Sequence, residues 1–156
     1  MAKLTPFLWF DKNMKEITDF YKSVFPDAVV TSNGELSDTP SGNVEMATIE
    51  ILGQKLSLMT AGPMYKFNEA VSLMVTCKDQ EEIDYYWGAL TTDGGSEGPC
   101  GWLKDKYGLS WQIAPSAMDE MMKTGTKEQI GRVTKAFMKM KKFDIKTLEE
   151  AFNNEV

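Results

Sequence analysis

The chain has 156 residues, 42% of them hydrophobic and 26% charged, the size and mix of one globular domain. It carries 17 Lys and Arg against 23 Asp and Glu, a net charge of −6, which argues against nucleic acid as the main partner and against a basic membrane-surface helix. It has no histidine, which removes imidazole bases, Ser-His and Cys-His nucleophiles, and every His-ligated metal.

In chain order, Leu4 to Phe10 is apolar and aromatic and predicts a strand. Asn13, three residues before Glu16, predicts a helix cap. Ile17, Phe20, Tyr21 and Val24 then recur at helical spacing until Pro26. Ala28 to Ser32 is short and β-prone, and the Gly-, Ser- and Asp-rich stretch 33–43 predicts a loop. Val44 to Leu52 and Lys55 to Ala61 predict a hairpin about Gly53-Gln54. After a loop over 62–69, Ala70 to Cys77 predicts another strand. Asp79 predicts the cap of a helix with Ile83, Tyr86, Trp87 and Leu90 on its apolar face. A glycine-rich loop runs through Gly101. Trp102 to Lys104 and Leu109 to Ala114 close the strands, and from Ser116 the pattern is helical.

The order is β-α-β-β-β twice, then helices. Ile17 and Ile83 lie 66 residues apart, and the same offset pairs Phe20 with Tyr86, Tyr21 with Trp87, Val24 with Leu90, Phe7 with Leu73 and Leu8 with Met74. This predicts two copies of one unit that pack together in a single domain: module one over 1–61, a linking loop over 62–69, module two over 70–114 and a helical tail over 115–156.

Strand alternation puts Val71, Leu73 and Val75 on one face, with Ala70, Ser72, Met74 and Thr76 on the other. Likewise Leu109, Trp111 and Ile113 oppose Ser110, Gln112 and Ala114. The apolar faces are expected under the helices. The small, polar-dotted faces are expected to line a pocket formed by Ser72, Met74, Ser110 and Gln112, with Trp102 and Cys100 at its rim. The alternative is a sheet face open to water. Trp111 reads as core, and the side on which Trp9 falls is left open by a bulge in its aromatic run.

Cys100 is the candidate nucleophile, with Lys104 and Lys106 near in sequence, although no base is visible and Glu97 opposes a lowered thiol pKa. Glu45 and Glu50 could act as bases only if buried. Cys77 reads as structural, and two lone thiols without Cys-x-x-Cys spacing suit a reducing, cytoplasmic setting. The first residues carry no apolar leader, and no stretch is long and apolar enough to span a membrane. Lys135, Lys139, Lys141 and Lys142 form a basic patch, and Met118, Met121, Met122, Met138 and Met140 cluster in the tail.

The repeat and several local words resemble the vicinal oxygen chelate superfamily, the glyoxalase/bleomycin-resistance fold. The words are Pro6-Phe7-Leu8-Trp9-Phe10-Asp11, Asp19-Phe20-Tyr21, Lys66-Phe67-Asn68-Glu69-Ala70 and, above all, the run from Cys100 to Gln112. They resemble its PhnB-like group, labelled 3-demethylubiquinone-9 3-methyltransferase, and the resemblance extends into the tail at Met140 and Phe143-Asp144-Ile145. It implies an α+β fold of paired βαβββ modules in one curved mixed sheet with a C-terminal helical extension, a cup-shaped pocket and a homodimer. The methyltransferase label is not supported by the residues: the glycines of Asp93-Gly94-Gly95-Ser96 follow a helix, where a methyl-donor site needs a glycine turn from strand to helix.

Metal-dependent members hold an ion by four strand residues, and those positions fall here on Leu4, Leu58, Ala70 and Gln112, of which three have no donor. A family histidine after Pro63 is replaced by Met64. No metal and no cofactor are therefore expected. The leading reading is a protein binding an unknown small molecule in the cup. Behind it stand a metal-independent lyase, isomerase or transferase using Cys100, Tyr65 or a carboxylate, and a structural module whose cup is closed. The seven apolar tail residues Ile130, Val133, Phe137, Met140, Ile145, Leu148 and Phe152 are expected to need a covering surface, possible as part of the dimer contact.

Overall fold

The computed structural model describes residues 1–155, and Val156 lies outside them. Two compact units divide at the linking loop, Met1–Lys66 and Phe67–Val156.

In the first unit the strands are β1 (Phe7–Phe10), β2 (Val29–Thr39), β3 (Gly42–Ile51) and β4 (Gln54–Thr60), with α1 (Met14–Val24) after β1. In the second they are β5 (Ser72–Cys77), β6 (Ser96–Glu97), β7 (Trp102–Lys104) and β8 (Ser110–Pro115), with α2 (Gln80–Thr91) after β5. The tail forms α3 (Ser116–Thr124), α4 (Lys127–Phe137) and α5 (Ile145–Asn153). The α+β class and the twofold βαβββ pattern are those expected. The sheet orders, β1-β4-β3-β2 and β5-β8-β7-β6, are the same, and each has one parallel pair, β1 with β4 and β5 with β8. The hydrogen bonds make two four-stranded mixed sheets, one in each unit.

Each helix lies on the apolar face of its own sheet. Ile17, Tyr21 and Val24 of α1 are buried with Leu8, Phe10, Ile49, Leu56 and Leu58. Ile83, Trp87 and Leu90 of α2 are buried with Val75, Cys77, Trp111 and Ile113. Each such side chain removed from water contributes roughly 1.5–3 kcal/mol before the cost of ordering it.

Four expectations change. The stretch 33–43, expected as a loop, is most of the β2–β3 hairpin, with β2 eleven residues long. Most of β2 is exposed, so it lacks the apolar alternation that marks a half-buried strand. The next turn is Leu52-Gly53, one residue earlier than expected, with φ of 48° and 78°, the pair of positive angles that a type I′ hairpin requires. Leu4 and Ala70 lie outside the strands.

The fourth change concerns the repeat. Helix starts do differ by 66 residues, Met14 against Gln80, but three residues join β1 to α1 and only two join β5 to α2. The helix-facing strand residues Leu8 and Phe10 therefore correspond to Val75 and Cys77, not to Met74 and Thr76. Met74 is 59% exposed, whereas Leu8 is 6% exposed. The extra residue is taken up at Asn13, which sits in the left-handed region at φ 64° and gives α1 no side-chain cap hydrogen bond. Glu45 of β3 does that work: its Oε2 accepts from the Met14 N–H and from the Thr60 hydroxyl, both at 3.2 Å. A carboxylate at a helix N-terminus contributes about 1 kcal/mol. Asp79 caps α2 as expected, accepting from the Glu82 N–H at 2.9 Å.

The tail covers its own apolar face. Val133, Phe143 and Leu148 are buried, and among the described residues only Met138 of the tail's large apolar side chains is strongly exposed, at 63%. Arg132 ties α4 to the end of α5 by donating to the Ala151 and Phe152 carbonyls, both at 2.7 Å. The covering surface that the tail's apolar residues require is thus largely supplied within the chain.

Candidate functional site

In the second sheet, cross-strand register fixes which side chains share a face. One row is Ser96, Lys104, Ser110 and Ser72, and the next is Trp102, Gln112 and Met74. Five of the six expected pocket residues, all but Cys100, thus stand on the sheet face turned away from α2. Leu73, the α2-facing residue of β5 nearest its start, is only half-buried, whereas Trp111 beside it is buried.

A pocket of about 550 Å³ opens on part of this face. Trp102 and Ser110 line it, together with Glu69, Ser96, Glu97 and Lys104. Ser72, Met74 and Gln112 lie outside that lining. Gln112 is engaged instead, its Nε2 donating to Ser72 Oγ at 2.8 Å.

Ser110 stands apart. It is 0% exposed, and its Oγ is, among the described residues, the one buried side-chain polar atom without a hydrogen-bond partner. A buried hydroxyl left unpaired costs on the order of 1–3 kcal/mol, so such atoms are rare in folded proteins.

The charged groups of the wall, in contrast, have partners. Lys104 Nζ lies 2.5 Å from Glu69 Oε1. Glu97 accepts from the Trp87 indole N–H at 2.8 Å and meets Lys141 Nζ at 3.5 Å. The Lys104 hydrogen bond holds the Glu69 carboxyl below the usual carboxylate range, and the Trp87 hydrogen bond, with Lys141 behind it, does so for Glu97. Lowered values mean that both carboxylates are ionised at neutral pH; what they contribute to stability is lost only as pH falls through those lowered values. Lys142 pairs with Asp84, so two of the four lysines of the basic patch meet acids of their own chain.

Cys100 does not face the pocket. It sits in a left-handed turn at φ 54°, its N–H donates to the Met140 carbonyl at 2.8 Å, and its sulfur lies 3.7 Å from the Phe137 carbonyl and 3.8 Å from Met138 Sδ. The sequence placed Cys100 beside Trp102 but carried no signal for which way the turn would aim it. Cys77 is buried, and that burial pushes its thiol up to about 12. Thiol titration of the native protein near pH 8 is expected to count at most one accessible thiol, Cys100, with Cys77 reacting only after unfolding. Two fast thiols would contradict this packing.

The carboxylates considered as bases are also accounted for: Glu45 is exposed and engaged at α1, and Glu50 is half-buried on β3. Trp9 lies on the side of β1 away from α1, its indole N–H donating to the Gly62 carbonyl at 2.8 Å and its ring meeting Tyr65 edge-on at 4.9 Å. Sequence reasoning missed Glu69 and Glu97 as pocket residues, since Glu69 lies in the loop ahead of β5 and Glu97 ends the two-residue β6, and neither stretch has a pattern of its own.

The positions matched to metal ligands do not form a donor set. Leu4 is 95% exposed ahead of β1, Ala70 precedes β5, and Leu58 is fully buried in β4 beneath α1. Only Gln112 carries a donor atom, and its amide is held by Ser72. Among the described residues no three His, Cys, Asp or Glu side chains converge, and no helix is long and apolar enough to cross a membrane. A divalent ion does not fit these residues.

Residues 2–114 match the family model described as 3-demethylubiquinone-9 3-methyltransferase. The match stops before the tail, into which the sequence resemblance was read. A Bacillus cereus PhnB protein, a candidate 3-demethylubiquinone-9 3-methyltransferase by description, is 29% identical, with a TM-score of 0.62 over 74% of this chain and 100% of its own. The fosfomycin resistance protein FosX from Listeria monocytogenes, complexed with Mn(II) and sulfate, is 16% identical, with a TM-score of 0.58 over 78% of this chain and 97% of its own. A glyoxalase family protein from Bacillus cereus is 14% identical, with a TM-score of 0.53 over 73% and 95%. At those identities the last two show the fold alone. No curated protein sequence matches significantly.

Proposed function

The chain belongs to the PhnB-like 3-demethylubiquinone-9 3-methyltransferase family, within the vicinal oxygen chelate superfamily, and on that premise we propose that it is a metal-free protein binding a small molecule on the open face of its second sheet. One observation carries the reading: the Ser110 hydroxyl is buried without a partner in the wall of a pocket large enough for a small organic molecule. A polar atom kept at a cost to stability is best explained by a ligand that pairs with it. Trp102 beside it supplies a flat apolar wall. The expected cofactor set is empty, and nothing favours the enzyme reading, since Cys100 is turned to the tail.

Ser110→Ala tests this. Removing the hydroxyl should raise stability by about 1 kcal/mol, read as a rise of roughly 2–4 °C in Tm, while small molecules retained in native mass spectra of the purified wild type are lost. A fall in Tm would mean that the hydroxyl is a satisfied part of the core and the cup a closed one. Elemental analysis of the same sample should find no stoichiometric transition metal.

The reading includes a cytoplasmic homodimer. Its support is the pair of free thiols, the family resemblance and the exposed apolar side chains Phe7, Val71 and Met74. Light scattering should return twice the 17.5 kDa chain mass, and the single-chain mass would refute the dimer.

A further inference from the structure

We propose that the ligand of this pocket is uncharged and carries one hydrogen-bonding group for Ser110, and that Glu69 sets this preference by occupying Lys104. The inference rests on the pocket reading above and adds the chemical class of the ligand.

Lys104 is the direct cross-strand neighbour of Ser110. The Lys104 ammonium is held by Glu69, which precedes β5. Since β8 lies between β5 and β7, the Glu69–Lys104 pair reaches from one side of the Ser110 strand to the other. Glu97, the other carboxylate of the wall, is held by Trp87 and Lys141. Each charged side chain of the wall therefore has an internal partner, and the buried hydroxyl of Ser110 has none.

An incoming anion would have to share the Lys104 ammonium with Glu69 and sit beside two carboxylates. An incoming cation would compete with Lys104 for a carboxylate already paired. A neutral molecule leaves both ion pairs in place and, once a small shift of the wall admits it to the buried Ser110 hydroxyl, satisfies that group. It also matches the Trp102 ring, which stacks on any flat apolar group.

Three probes of one shape separate the cases: benzyl alcohol, benzoate and benzylamine, with toluene as the probe that lacks a polar group. Binding is read by ligand-observed NMR and by the fluorescence change lost in Trp102→Phe. Benzyl alcohol should bind about tenfold tighter than benzoate, benzylamine and toluene, the worth of one net hydrogen bond or more. Ser110→Ala should bring benzyl alcohol down to toluene. Glu69→Gln should raise the benzoate-to-benzyl-alcohol affinity ratio about tenfold by freeing Lys104.

Benzoate or benzylamine binding as tightly as benzyl alcohol in the wild type would overturn the neutral-ligand inference and leave the site standing. An unchanged ratio in Glu69→Gln would overturn the role of Glu69. If no probe perturbs Trp102, the pocket reading falls, and this inference with it.

Discussion

Gly101→Ala is expected to destabilise the protein by on the order of 3–4 kcal/mol, lowering Tm by roughly 6–15 °C. Two effects add. Gly101 has φ of 79°, where an L side chain is strained. A Cβ there would also lie 2.4 Å from the Phe143 ring and 2.9 Å from the Ile113 carbonyl oxygen, and the second contact is with backbone that cannot swing away. The same residue stitches the tail to the sheet: its N–H donates to the Lys141 carbonyl at 2.7 Å, and its carbonyl accepts from Ile113 at 2.8 Å. The substitution should therefore loosen α3 to α5 first, and limited proteolysis should cut after Pro115 well before it cuts the sheets. Gly108→Ala separates the two effects. Gly108 has φ of 82° but open space around its Cα, so it should lose only about 1 kcal/mol. Equal losses at both sites would show that crowding against Phe143 plays no part.

Asp105→Ala is the second large change, at about 3 kcal/mol. Asp105 is 2% exposed, yet its carboxylate is well supplied with donors. Oδ1 accepts from the Tyr107 and Leu109 N–H groups at 2.9 and 3.1 Å, and Oδ2 accepts from the Trp111 indole at 2.9 Å. Alanine would leave two buried donors, the Leu109 amide and the Trp111 indole, without this acceptor, and each costs roughly 1–3 kcal/mol unless water enters. Asp105→Asn keeps Oδ1 for the two amides but sets an NH₂ against the indole N–H, so an intermediate loss is expected. Urea unfolding gives the loss, and the near-UV circular dichroism of Trp111 reports whether its pocket has opened. Wild-type stability in Asp105→Ala would mean that the β7–β8 turn is organised by other contacts. Because that turn sets the register of Lys104 against Ser110, the same variant should also weaken binding at the pocket.

Much of the fold was legible because its signals are local. The apolar face of α2, its Asp79 cap and the alternation of β5 and β8 can each be read within a few residues. That alternation placed Ser72, Met74, Ser110 and Gln112 on one face, as the register has it. What was not legible depends on partners distant in the chain. β2 is a strand because β3 pairs with it, and its exposed side chains carry no apolar period. Asn13 looks like a cap in sequence, but the capping carboxylate comes from Glu45, 32 residues later in the chain. The one-residue difference between the strand-to-helix connections hid the true correspondence of β1 and β5, and with it the fact that Leu58 faces the helix while Gln112 does not. Which of the polar residues on the open face were already engaged could not be read at all. Gln112 is paired and Ser110 is not, a difference set by the neighbouring strands rather than by either residue's own surroundings in the sequence.

The attachment of the tail to the turn at Cys100 and Gly101 has a consequence for synthesis. Residues 137–143 are made after every strand of both sheets, and chains fold from the N-terminus as they emerge. Until those residues arrive, the turn beside the pocket lacks the Met140 and Lys141 carbonyls that hold it. A nascent chain therefore completes its sheets before the turn beside its pocket is fastened. Premature termination anywhere in α3 or α4 would release a product with its strands complete and an unsecured pocket, a species in which circular dichroism would register the missing tail helix and a binding assay the unfastened pocket.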